Sequence, residues 1–137
     1  MPWTSPVDRA SGYTVTNGDW NNNLGATGNT AYLYGDTAWT NVSAFTNSWV
    51  NFGAPYFSVG YRLVGNRVYL RGIMKSGTIG SAAFTLPSGY RPSSSVLMST
   101  VSTNAFGVVQ IAVAGTVIPT IGTNSSVSFD NLSFDIL

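Results

Sequence analysis

The chain has 137 residues, 44% of them hydrophobic and 8% charged, with a formal net charge of +1. Soluble domains average about a quarter charged residues, so hydroxyls, amides and apolar groups must cover this surface. His, Cys and Glu are absent and Lys75 is the single lysine, which removes the usual proton shuttle, the thiolate nucleophile and most soft-metal ligands together.

The length suits one domain with one core. Low charge leaves little repulsion between copies, so the composition favours a subunit of an assembly over a free monomer. The basic residues Arg62, Arg67, Arg71 and Lys75 form the one cluster, too few for a nucleic-acid footprint. No basic-then-apolar leader is visible at Met1-Pro2-Trp3-Thr4, and no apolar run reaches the ~18 residues of a membrane span.

In chain order, residues 1–12 lack periodicity and read as an extended arm. Trp20, Leu24, Ala31 and Leu33 have partial helical spacing, with Thr16 or Asn17 as caps. Gly25, Gly28 and three consecutive Asn oppose a stable helix, so a short, weak helix within 17–34 is expected. From Trp39 onward the pattern is β. Tyr61–Val64 and Arg67–Arg71 flank Gly65-Asn66 as a two-residue hairpin. Val68, Leu70 and Met74 share one face, and Arg67, Tyr69, Arg71 and Lys75 the other. That basic face reads as a solvated sheet surface with Arg stems over Tyr rings; an anion site is the alternative.

Leu86-Pro87-Ser88-Gly89-Tyr90-Arg91-Pro92 is a turn-rich connection. Val96–Val113 reads as two strands broken near Thr103-Asn104, and Gly115 separates the second from Thr116–Ile121. Val127 and Phe129 alternate in one phase, Leu132, Phe134 and Ile136 in the other, so a turn or bulge falls at Asp130-Asn131. Eight or so short strands indicate an all-β protein, a jelly-roll-like β-sandwich with a short N-terminal arm and a weak helix. The arm spans 1–38 and the sandwich 39–137.

For catalysis, carboxylate pairs are the remaining route, and Asp130 and Asp135 are the pair a small glycanase would use. Asp19 reads more simply as a helix-start residue, Asp130-Asn131 as a turn. No calcium loop is present, Gly77-Thr78-Ile79-Gly80 lacks the Lys of a phosphate loop, and no cofactor or metal is implied. Trp39, Trp49, Tyr56 and Phe57 fall in an Asn-rich stretch, with Trp39, Trp49 and Tyr56 the candidate glycan-binding residues; core or subunit contact is the simpler reading.

The order Trp39, Val42-Ser43-Ala44-Phe45, Asn47-Ser48-Trp49-Val50, Tyr61-Arg62-Leu63, Gly65-Asn66, Val68-Tyr69-Leu70-Arg71-Gly72 and Phe84-Thr85-Leu86-Pro87-Ser88-Gly89-Tyr90-Arg91-Pro92 resembles the β-sandwich head domain at the C-terminal end of many tailed-phage tail, baseplate and fibre proteins. There a "W…nGW" element, a "YR…G…V.L.G" hairpin and a "tLPaGyRP" loop recur in this order. Ser48 departs from it, since a Gly often precedes that Trp. Val15-Thr16-Asn17-Gly18-Asp19-Trp20-Asn21, Leu24, Asn29 and Tyr32-Leu33 are similar to a segment that precedes the body in phage structural proteins.

The resemblance implies a non-enzymatic virion protein on the particle surface, a homotrimer mounted on other virion proteins. Its role is host attachment, with a host cell-surface glycan as candidate ligand, or capsid decoration. Trp3, Trp20, Leu24, Tyr32 and Leu33 are the candidate particle-docking residues, because apolar groups on a segment unable to fold alone need a foreign surface. A free carbohydrate-binding module is the alternative from another class.

Overall fold

The computed structural model describes residues 36–137. Residues 1–35 of the arm, with the expected helix and the docking candidates Trp3, Trp20, Leu24, Tyr32 and Leu33, lie outside the described residues, as do Asp8 and Asp19. Among the described residues there is no helix, as the all-β reading expects. The strands are β1 Thr40–Asn41, β2 Val50–Asn51, β3 Gly60–Val64, β4 Arg67–Arg71, β5 Ile73–Lys75, β6 Phe84–Thr85, β7 Val96–Ser102, β8 Ala105–Ile111, β9 Thr116–Ile121, β10 Val127–Ser128 and β11 Ser133–Asp135.

They form three antiparallel sheets in a β-sandwich-like arrangement, ordered β1-β3-β4-β11, β10-β5-β2 and β6-β9-β8-β7. In the third, β7, β8 and β9 make a meander whose last strand, β9, comes back to lie beside β6, the order of a Greek key. The first two sheets share a backbone path, because β4 and β5 are one strand bent at Gly72, and β10 and β11 run antiparallel to it across the same bend. Val127 pairs with Met74 and Ser128 with Ile73; Ser133 pairs with Tyr69 and Asp135 with Arg67. The extra residues between β10 and β11 account for the phase change at Asp130-Asn131, where Asn131 takes a left-handed φ of 65°.

Turn chemistry follows the sequence. At the β3–β4 hairpin Gly65 has φ 60° and Asn66 does not turn positive, a type II′ pattern. Thr103 and Asn104 are both left-handed, at 49° and 61°, as a type I′ turn requires. The Leu86–Pro92 loop fastens itself: Arg91 Nε donates to the Leu86 carbonyl at 2.7 Å, and the Leu86 amide donates to Gly115 at 2.9 Å. Tyr90 at its tip meets Tyr61 edge-on at 4.8 Å. Burial, then the neighbouring Tyr90, raises the Tyr61 phenol above its ordinary 10.0.

The core lies between the bent double sheet and the Greek-key sheet. Val68, Leu70, Met74, Val127 and Phe134 from one side meet Phe84, Leu86, Val109, Ile111 and Val117 from the other. Phe84 joins them, edge-on to Phe129 at 5.7 Å and to Phe45 at 5.9 Å. Trp49, 2% exposed, is a core residue. Its indole is covered by Gly77, where a Cβ would lie 2.0 Å from the ring. The glycine considered above as part of a phosphate loop is therefore the lid of a tryptophan slot.

Ser48, the residue that departs from the phage pattern, sits with Asn47 in a turn closed by the Trp49 amide on the Thr46 carbonyl at 3.1 Å. Its φ is 65° and that of Asn47 is 52°, so position 48 is one where glycine is the unstrained choice.

Three outcomes are expected from chemical unfolding. Gly77→Ala should lower stability by about 1–3 kcal/mol or more, because the methyl has nowhere to go but into the Trp49 ring. Ser48→Gly should instead raise stability, by up to about 1 kcal/mol, by relieving the left-handed serine. The Tyr61 phenol contributes stability that is complete below the unfolded-state pKa of about 10 and is lost as pH rises through its higher folded-state value. Unfolding midpoints of Tyr61→Phe should accordingly fall less steeply above pH ~10 than those of the wild type.

Candidate functional site

Consider first the carboxylates. The Asp130 side chain accepts the Gly72 amide at 2.8 Å, at the bend shared by two sheets. Asp135 pairs with Arg67 at 2.9 Å, and Asp36 accepts the Gly65 amide at 3.1 Å. Each carboxylate among the described residues thus makes a structural bond. Asp130 holds a backbone kink and Asp135 lies in register opposite Arg67 on neighbouring strands; the two do not share a cleft as a hydrolytic pair would. No group of three or more His, Cys, Asp or Glu residues that could hold a metal occurs among the described residues.

A shallow groove of about 420 Å³ runs between β11 and the start of β7. Phe134, Val96 and Met98 supply its apolar wall, and Ser93, Ser94 and Ser133 its hydroxyls. Its charged members, Arg67 and Asp135, neutralise each other.

The richer surface is the outer face of the β1-β3-β4 sheet. β1 pairs with β3 so that Thr40 opposes Tyr61, and Trp39, one residue earlier, falls beside Arg62. Arg62 in turn opposes Tyr69 on β4. The Arg62 Cζ lies 5.2 Å from the Trp39 ring centroid and 5.9 Å from that of Tyr69. The Arg71 Cζ lies 4.5 Å from the Trp39 ring and 4.7 Å from that of Phe57. The contacts run in series, Tyr69, Arg62, Trp39, Arg71, Phe57, ring and cation by turns.

Beyond the Gly72 bend the theme repeats. Lys75 Nζ is 4.7 Å from the Phe52 ring centroid, and Phe52 meets Tyr56 edge-on at 5.2 Å. Phe57 is 64% exposed and Tyr56 48%, so aromatic rings of this face reach solvent while the cations between them are half-buried.

Of the aromatics singled out from the sequence as glycan candidates, Trp39 and Tyr56 lie on this face. Trp49 does not: it is enclosed in the core and offers no ring face to a ligand. The Arg-over-Tyr stacking expected from strand alternation is present at Arg62 and Tyr69, but the sequence pattern missed Trp39 and Phe57 as the main ring partners. Their proximity depends on the pairing of β1, a two-residue strand without any periodic signal.

On the opposite side, the outer face of the Greek-key sheet carries no charge. No Asp, Glu, Lys or Arg lies between Arg91 and Asp130. Leu97, Val101, Phe106 and Ile121 project from it with exposures of 71, 58, 64 and 52%; Val101 and Phe106 are directly paired across β7 and β8.

Asp130→Ala should cost about 1.5–3 kcal/mol in unfolding measurements, the range for a hydrogen bond to a charged group, and Asp130→Asn markedly less because the amide oxygen still accepts from Gly72. Asp135→Asn, which alters an exposed pair, should stay within about 1 kcal/mol.

No protein-family model matches the sequence, and no curated protein matches it. Among solved structures the fold is similar to that of the receptor binding protein (gp15) of Listeria phage PSA, with a TM-score of 0.58 and 20% sequence identity over 88% of this chain and 87% of that one. At that identity the likeness is one of fold.

Proposed function

We propose that this protein is a non-enzymatic virion component of a tailed bacteriophage that acts in host attachment as a receptor-binding head. The observation that carries the reading is the fold likeness to a phage receptor binding protein along nearly the whole of both chains. It is supported by the independent order of tail-type motifs from Trp39 to Pro92. The absence of His, Cys and Glu and the structural engagement of Asp36, Asp130 and Asp135 support a protein that binds without turning over a substrate.

The head acts as a homotrimer on the particle surface. The uncharged outer face of the Greek-key sheet is the surface that suits burial between copies, since an apolar patch of this kind is poorly soluble when left open. Residues 1–35 carry the contact with neighbouring virion proteins, through Trp3, Trp20, Leu24, Tyr32 and Leu33.

Particle labelling with an antibody against the chain tests the placement: signal at the tail supports attachment, while signal over the shell would assign a capsid-decoration role instead. Sedimentation should give a trimer, and Leu97→Lys with Phe106→Lys should reduce it to monomers. Removal of residues 1–35, which leaves the hydrogen bonds of Asp36 and Thr37 to the β3–β4 hairpin intact, should keep the sandwich folded and abolish incorporation into particles. A truncated monomer that still binds glycan and never enters particles would favour a free carbohydrate-binding module.

A further inference from the structure

The cation–aromatic face is more than a solvated sheet surface. Among the described residues the ion pair is Arg67–Asp135, and neither Arg62 nor Arg71 meets a carboxylate of that set. The Nε atoms of both are covered and have no hydrogen-bond partner. Among the described residues the partners of these two half-buried guanidiniums are ring faces. A planar guanidinium fixed over a ring presents a rigid fork suited to the paired oxygens of a phosphate or carboxylate. Phe57, Tyr56 and Tyr69 are exposed aromatics, and they provide the apolar surface against which a sugar ring can lie.

Resting on the host-attachment reading, we propose that the face built by Trp39, Arg62, Tyr69, Arg71 and Phe57 is the binding site for an anionic glycan, a saccharide chain bearing phosphate or carboxylate groups. The guanidiniums take the anions and the exposed rings the pyranose faces. Lys75 with Phe52 and Tyr56 extends the site past the Gly72 bend, so that it accommodates more than one repeat of a polymer. The sparse charge fits a polymer with an anion at intervals; tracking a nucleic-acid strand needs a phosphate contact at nearly every nucleotide and a far more basic groove.

Titration calorimetry of the full chain with phosphorylated dextran, carboxymethyl dextran, unmodified dextran and single-stranded DNA tests the proposal. At least one anionic dextran should bind about tenfold or more tighter than the unmodified polymer, and which one assigns phosphate or carboxylate as the anion. Arg62→Gln, Arg71→Gln and Trp39→Ala should each weaken that binding about fivefold or more. Arg71→Lys, which keeps the charge and loses the planar fork, should fall between wild type and Arg71→Gln.

Arg67→Gln removes the same charge from the same sheet outside the series and should change affinity less than about twofold. Equal affinity for neutral and anionic dextran, an Arg67→Gln effect as large as that of Arg71→Gln, or tighter binding of DNA through the same residues would each overturn the site. Variants with the dextran preference abolished but adsorption to host cells intact would likewise overturn it, while leaving the attachment reading in place.

Discussion

The bend at Gly72 is the constraint on which the rest of the molecule depends. One continuous strand serves two sheets, pairing with β3 and β11 before the bend and with β2 and β10 after it. Gly72 has φ +96°, and a Cβ there would lie 2.5 Å from the Ser58 carbonyl oxygen, so two separate reasons exclude any other residue. Bending a strand in this way interrupts its ladder, and the freed groups need partners. The Gly72 amide goes to the Asp130 carboxylate and its carbonyl accepts the Phe129 amide, each at 2.8 Å. One side chain thus replaces a lost strand partner, and the same turn delivers Phe129 into the core against Phe84.

That bend also decides where charge is found. It carries the basic residues of β4 and β5 along one outer surface and turns the apolar positions Val68, Leu70 and Met74 inward on both sides of the kink. On the Greek-key sheet no charge is present on either face, so its inner positions form the core and its outer positions are left apolar. A single sandwich therefore has two unlike outsides, one of cations held by aromatic rings and one of aliphatic and aromatic side chains with Ser, Thr and Gln between them. The first suits a polar ligand and the second suits another protein surface. In an assembly that buries the second, the first stays open.

Much of this organisation was legible in the sequence where period and turn chemistry agree. The β3–β4 hairpin, the Thr103-Asn104 turn, the Gly115 break and the phase change at Asp130-Asn131 were all readable because alternation fixes the face and a left-handed residue fixes the turn. What could not be read were the two-residue strands β1 and β2, which have no period and are defined only by the strands they join. Trp39 and Trp49 show the consequence. Both precede or border such strands and look alike in sequence, yet one lies over two guanidiniums at the surface and the other fills a slot under Gly77. The Trp49 slot had a signal, the Gly77-Thr78-Ile79-Gly80 run, but nothing in one sequence says that the glycine makes room for a ring and not for a phosphate.

The two environments of these tryptophans also explain how a domain so poor in charge can present an ordered polar surface. An exposed arginine ordinarily loses much of its rotamer freedom when it engages a ligand, at a cost of up to about 2 kcal/mol for a long side chain. Here Arg62 and Arg71 are already confined by rings that are themselves anchored in the sheet: Trp39 by the pairing of β1, Tyr69 within β4, and Phe57 by its carbonyl, which accepts the Ile73 amide at 3.3 Å. The ordering takes place during folding, where burial of Trp49, Phe84 and Phe129 provides the driving force. A guanidinium fixed in this way has lost its freedom before any ligand arrives, which is the condition under which a few cations suffice for recognition.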